Sequence, residues 1–158
     1  MFYNGDKWGI VQESGYNNMF RGENEVSLDD KNRLTIPSEY REELGELCFV
    51  TRGLAGRKCL AVFSEEKYKD FEKTVLEQNS SRAQYYYIAF ARDRAPDKQG
   101  RILLTPKFIE HAELKKDVVV IGVLNRLEIW DKDNWEKFND LSSFTEDEVE
   151  AHEKFFSI

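Results

Sequence analysis

From Phe20 to Leu28 apolar and polar residues alternate imperfectly, as in a strand, and the turn-forming run Asp29–Asn32 closes it. Leu34 and Ile36 flank Thr35 as in a half-buried strand. Pro37 suits the first turn of a helix in which Tyr40, Leu44 and Leu47 recur at helical spacing. Cys48–Thr51 reads as a further short strand, Arg52–Lys58 with its glycines as a hairpin loop, and Cys59–Phe63 as the next strand. Ser64 is a good helix N-cap, with Glu65 and Glu66 suited to the positive helix start, and the helix should reach about Gln78. Asn79, Ser80 and Ser81 break the pattern. Arg82–Arg92 could be strand by periodicity, but the preceding Ser cap and a length of about ten residues favour a helix. Ile102–Leu104 predicts a strand, Pro106 to about Ala112 a helix, and Asp117–Val123 an apolar strand that turns at Leu124-Asn125 into Arg126–Trp130. Asp131 should cap a helix to about Leu141. A last amphipathic helix starts at Thr145, where Glu148 completes a capping box and Val149, His152 and Phe156 share a face. Residues 1–18 show no period and are expected to be a poorly ordered extension.

One stretch of this pattern occurs twice. Asp29-Asp30-Lys31-Asn32-Arg33-Leu34-Thr35-Ile36-Pro37 is answered by Asp97-Lys98-Gln99-Gly100-Arg101-Ile102-Leu103-Leu104-Thr105-Pro106, the two leading aspartates lying 68 positions apart. Downstream, Cys59–Ser64 answers Arg126–Asp131, and Tyr68 and Phe71 answer Trp135 and Phe138. A repeat of this length implies one supersecondary unit used twice and packed on itself. The expected organisation is an extension over 1–18, a first repeat over 19–78, a linking helix over 79–93, a second repeat over 94–141 and an acidic C-terminal helix over 142–158. The fold class is α+β, built from two pseudo-symmetric βαβ-type repeats.

Composition narrows the function. The 158 residues are 41% hydrophobic and 34% charged, a globular balance. There is no signal-like start and no apolar run near the roughly 18 residues of a membrane span, so a cytoplasmic protein without a membrane partner is expected. Cys48 and Cys59 are too few for a disulfide framework and read as buried thiols. The net charge of −7 argues against a simple nucleic-acid binder, but its distribution changes that picture. Residues 145–158 hold five acids against Lys154, whereas Arg92–Lys107 holds Arg92, Arg94, Lys98, Arg101 and Lys107 against Asp93 and Asp97.

Candidate catalysis is thin. His111 and His152 stand without a nucleophile or a ligand partner, no Gly-rich phosphate loop is present, and neither catalytic nor metal residues nor a cofactor are expected. Asp29 and Asp97 suit turn-fixing or Arg-orienting roles better than a paired-carboxylate site. The arginines carry more. Arg33 and Arg101 each open a strand beside a tight turn with an Asp four residues earlier, and Asn32 and Gly100 before them tolerate positive φ. An Asp can hold a guanidinium while donors stay free for a base edge or a phosphate. Lys31, Lys98 and Arg94 add cations nearby, and a two-stranded ribbon can enter the major groove. Tyr85–Tyr87 point three ways on a helix and so suit packing rather than one stacking platform for bases.

With these residues the chain resembles the MraZ family, the two-repeat branch of the AbrB-like transcription factors. Met19-Phe20-Arg21-Gly22-Glu23 is similar to the family's usual start. Asp29–Arg33 and Asp97–Arg101 match its doubled Asp-x-x-x-Arg signature, and Gly100-Arg101-Ile102 and Glu128-Ile129-Trp130-Asp131 resemble its second half. Asn32 stands where the family commonly has Gly. The resemblance implies a swapped-hairpin (double-split) β-barrel of AbrB-like type, assembled into a homo-oligomeric ring larger than a dimer. It implies a nucleoid-associated repressor that binds closely spaced direct repeats in double-stranded DNA upstream of the division and cell-wall gene cluster. Arg33 and Arg101 fall on the signature arginines. The rival expectation is an interaction module of the same fold, an antitoxin-like partner binder whose acidic C-terminal helix occupies a groove on its partner.

Overall fold

The computed structural model describes residues 19–156; the expectation of a poorly ordered extension at 1–18 falls outside them. The described strands are β1 Phe20–Ser27, β2 Arg33–Thr35, β3 Cys48–Arg52, β4 Leu60–Ser64, β5 Arg92–Arg94, β6 Arg101–Leu103, β7 Asp117–Leu124 and β8 Arg126–Asp131. The helices are α1 Ser38–Leu44, α2 Glu65–Glu77, α3 Ser81–Ala83 with a π-turn Gln84–Ile88 continuing it, α4 Pro106–Ala112, α5 Lys132–Phe138 and α6 Glu146–Phe155.

Local chemistry sets the helix starts. Ser64 Oγ accepts from the Lys67 N–H at 3.3 Å, Thr105 Oγ1 from Phe108 at 3.2 Å, and Asp131 Oδ2 from Asn134 at 3.0 Å. At α6 both halves of the capping box form: Glu148 N–H donates to Thr145 Oγ1 at 3.1 Å, and Thr145 N–H donates to Glu148 Oε1 at 2.8 Å. The two prolines of the repeat are not equivalent. Pro106 lies in the first turn of α4 behind the Thr105 cap, whereas Pro37 is itself the cap of α1 and gives it no side-chain bond.

Six strands form one antiparallel sheet in the order β1-β7-β8-β4-β3-β5, and β2 and β6 pair as a separate ribbon. Exchanging each first-half strand for its counterpart (β1 for β5, β2 for β6, β3 for β7, β4 for β8) reverses the order and leaves it unchanged. The registers fix where the pseudo-twofold passes. β4 and β8 pair symmetrically about Ala61–Glu128, and β2 and β6 about Leu34–Ile102. Each half lends its first strand to the other, β1 pairing with β7 and β5 with β3. One hydrophobic core joins ribbon to sheet, with Leu34, Ile36, Ile102 and Leu104 against Val50, Leu60, Val62, Val118, Val120, Leu127 and Ile129. The expected α+β class holds. β1 and β5 remain the edges of an open ladder, so the strands do not close into a hydrogen-bonded barrel.

Element boundaries differ from expectation at several points, and α1 stops at Leu44, short of Leu47. The helical turn after Ser80 ends at Ile88 rather than Arg92, and Arg92–Arg94 is strand, opposing Val50, Phe49 and Cys48 of β3. Without β5 that edge of β3 would leave its backbone groups unpaired, and this outweighs the local helical pattern. The helix after Asp131 stops at Phe138, and a separate 3₁₀ turn at Leu141–Ser143 follows, capped by Asp140. Both cysteines are buried and form no disulfide, and burial pushes the thiol of Cys48 up to about 12.

Candidate nucleic-acid interface

The two Asp-x-x-x-Arg segments fold into turns with the same hydrogen-bond pattern. Asp29 Oδ1 accepts the Lys31 and Arg33 N–H groups at 2.9 and 2.7 Å, and Oδ2 accepts Arg33 Nε at 2.8 Å. Asp97 does the same with Gln99, Arg101 and Arg101 Nε at 3.0, 2.9 and 2.8 Å. The backbone closes each turn identically: Asn32 donates to the Asp29 carbonyl and Gly100 to that of Asp97. Asn32 and Gly100 have φ of 62° and 81°, the left-handed geometry that the sequence had called for. Backbone N–H donation from the Arg, ahead of its guanidinium, holds each Asp carboxyl below its ordinary pKa.

The differences between the turns come from what lies behind them. A Cβ on Gly100 would stand 2.4 Å from Arg41 Nε, which is itself bonded to the Ile36 carbonyl at 2.8 Å. Behind Asn32 the corresponding helix carries Ile109, beside a cavity of about 600 Å³, so a side chain fits there. Each turn thus rests on the helix of the other half. Ribbon hydrogen bonds from Ile36 to the Gly100 carbonyl (2.8 Å) and from Leu104 to that of Asn32 (2.9 Å) lock the two turns together.

Pairing decides which side chains face out. Opposed residues in an antiparallel ribbon share a face and successive residues alternate. Leu34 and Ile102 therefore turn into the core, at 0% and 2% exposure. Arg33, Thr35, Arg101 and Leu103 share the outer face, where Leu103 is 51% exposed. Arg33 opposes Leu103, so Arg33 and Arg101 are diagonal neighbours, roughly 7–8 Å apart at Cα. Each guanidinium is held through Nε. Among the described residues the Arg33 Nη atoms carry no further bond, and Arg101 Nη2 meets only Gln99 Oε1 at 3.4 Å. A guanidinium fixed this way presents its remaining donors as a preoriented fork, the geometry that recognises a guanine edge or a phosphate.

Lys31 and Lys98 are exposed on the turns. Arg94 stands apart in role: its Nε donates to the Leu103 carbonyl at 2.7 Å, tying β5 to β6. Thr35, Leu103, Gln99 and Arg41 were not singled out by sequence. The strand period could have flagged Thr35 and Leu103 as outward-facing, but only the ribbon register places them between the arginines.

The remaining candidates are elsewhere. His111 is half-buried, edge-on to Tyr86 and Phe90, and burial, with Arg52 nearby, lowers its pKa. Tyr87 packs edge-on against Phe71, while Tyr86 and Phe90 hold the Arg52 guanidinium between them at 4.4 and 3.9 Å. No cluster of His, Cys, Asp and Glu that could hold a metal occurs among the described residues, and no helix there is long and apolar enough to cross a membrane.

Comparison with known proteins agrees with the doubled motif. The model of the family described as "MraZ protein, putative antitoxin-like" matches twice, over residues 19–86 and 88–154. A protein of Caldanaerobacter subterraneus subsp. tengcongensis is 38% identical over 89% of this chain and all of its own length. One of Thermoanaerobacter sp. (strain X514) is 40% identical over 85% of this chain and 96% of its own, and one of Clostridium acetobutylicum is 40% identical over 78% and 89%. All three are named transcriptional regulator MraZ. Two family matches, one on each half of a pseudo-twofold whose turns carry the signature Asp and Arg, identify this chain as a member of the MraZ family.

Proposed function

We propose that this chain is a sequence-specific DNA-binding transcriptional regulator that lays the outer face of the β2–β6 ribbon into the major groove. The observation that carries this reading is the pair of Asp-anchored arginines held diagonally on one exposed face. Their Cα spacing of roughly 7–8 Å corresponds to about two base-pair steps at ~3.4 Å each. Arg33 and Arg101 take base edges, and Lys31 and Lys98 take phosphates. Arg94 braces β6 and adds positive charge at its margin. Asp29, Asn32, Asp97 and Gly100 hold the turns. Thr35 and Leu103, between the arginines, offer methyl groups to thymine. The contact requires no cofactor and no catalysis.

The names of the relatives support regulation of transcription as the outcome. In this reading the ribbon and the six-stranded sheet are the two walls of a swapped-hairpin barrel. The protein works in the cytoplasm on the nucleoid, as a ring-like homo-oligomer on closely spaced direct repeats in its own upstream region, repressing the division and cell-wall gene cluster. A fluorescence-anisotropy titration of that upstream DNA against scrambled DNA, over a salt series, tests it. A specific shift and a steep negative salt slope are expected. Absence of both would favour the second reading, which the antitoxin-like wording of the family description motivates: an AbrB-fold interaction module that binds a protein partner.

A further inference from the structure

Among the described residues, two of the exposed apolar surfaces differ in charge. The first is α6. No side chain of α6 is buried, and its end exposes Phe155 (82%) and Phe156 (66%). Glu146, Asp147, Glu148, Glu150 and Glu153 make the same helix strongly acidic, with Glu153 one helical turn before Phe156. The second surface lies between α2 and the π-turn. There Val75, Leu76, Tyr85 and Ile88 line an apolar groove of about 480 Å³, with Glu72 also on its lining. Leu76 and Tyr85 are 68% and 74% exposed. Tyr85 also borders a second cleft, of about 580 Å³, that holds Arg52 and Arg82. Arg52 is fixed there between the Tyr86 and Phe90 rings, and its buried Nε has no hydrogen-bond partner among the described residues.

We propose that α6 of one copy docks in this groove on a second copy. Phe155 and Phe156 enter the apolar trough beside Leu76 and Tyr85, and Glu153 turns toward Arg52 and Arg82. Charge selects the occupant. An aromatic-ended acidic helix fits a groove that is apolar on one side of Tyr85 and cationic on the other, and every copy of the chain carries one of each. The two surfaces are different parts of the chain, so the contact is head-to-tail and propagates until the rotation closes it into a ring. The proposal deepens the ring assembly of the functional reading, but it does not depend on how DNA is contacted.

The test uses the full chain without DNA, weighed by analytical ultracentrifugation. The wild type should be an oligomer. F155E/F156E, which spoils only the helix, and L76E/Y85E, which spoils only the groove, should each sediment as monomers with unchanged far-ultraviolet circular dichroism. Mixed, the two variants retain one intact contact between them and should form a 1:1 dimer and nothing larger. A milder pair guards against damage to the fold: R82E should weaken assembly, and adding E153R to the same chain should restore it. A monomeric wild type, a wild-type mass in either double variant, or monomers that stay apart on mixing would overturn the proposal. DNA anisotropy on the monomeric variants should retain weak specific binding to a single repeat, so a failure of assembly and a failure of DNA reading give different results.

Discussion

Arg33 and Arg101 are held by the same three-bond clamp, but the clamp contributes more to orientation than to stability. The side chains of both pairs are about a third exposed, and solvent screening leaves ion pairs so open little net worth. R33A or R101A should therefore barely move the melting temperature. Loss of a bidentate base contact should weaken DNA binding by roughly 1–3 kcal/mol for each site. Anisotropy and thermal melting on the same preparations separate the two effects, and unchanged affinity would remove the arginines from the interface. The aspartates make a pH prediction. Their folded pKa lies below the ordinary value of 3.8, so their stabilisation is complete above that value and is lost as pH falls through the lowered one. The melting difference between wild type and D29N/D97N should accordingly be full at neutral pH and shrink below about pH 4. A difference that persists undiminished in acid would mean that the carboxylate charge is not what holds the turns.

At the level of elements, the close approaches are asymmetric although the topology is symmetric. G100A places a Cβ in left-handed geometry against Arg41, which should cost roughly 1–2 kcal/mol. N32G should be nearly neutral, since glycine adopts the φ of 62° at that position without strain. Gly122 is tighter: a Cβ there would lie 2.4 Å from the Arg21 backbone nitrogen on β1, and backbone cannot move aside as a side chain can. G122A should cost about 1–3 kcal/mol by overpacking and loosen β1 from β7. Denaturant melts, with hydrogen exchange at Glu23 to Val26, would register both effects. If those amides stay as protected as in wild type, the strand contact is softer than the geometry implies.

For the whole molecule, the seam between the halves is the point of cooperativity. Leu34 and Ile102 face each other across the pseudo-twofold, both essentially inaccessible. L34A and I102A should each cost about 2–5 kcal/mol. Together they should depart from additivity, because both open the same space. Assembly on DNA makes the second prediction at this scale. In the proposed ring, subunits repeat head-to-tail and face the same way, so shifting two DNA repeats by half a helical turn, about five base pairs, should abolish joint engagement. Affinity should fall to that of one repeat and recover in part with a full-turn insertion. Binding indifferent to spacing would mean that the units read DNA independently.

The sequence by itself determined much of what is local and repeated. The doubled Asp-x-x-x-Arg turns, the need for Asn32 or Gly100 at positive φ, the caps at Ser64, Asp131 and Thr145, and the burial of Leu34, Ile36 and the thiols follow from hydrogen-bonding capacity and apolar period, which nearby residues suffice to specify. The tertiary structure alone decided what depends on partners far along the chain. Arg92–Arg94 became strand because β3 had an open edge, and Arg94 became a brace because Leu103 presented a carbonyl. The same holds for the face shared by Arg33 and Arg101. Each strand's period tells which residues alternate, but only the register of β2 on β6 sets two arginines, 68 positions apart in the chain, diagonally beside each other.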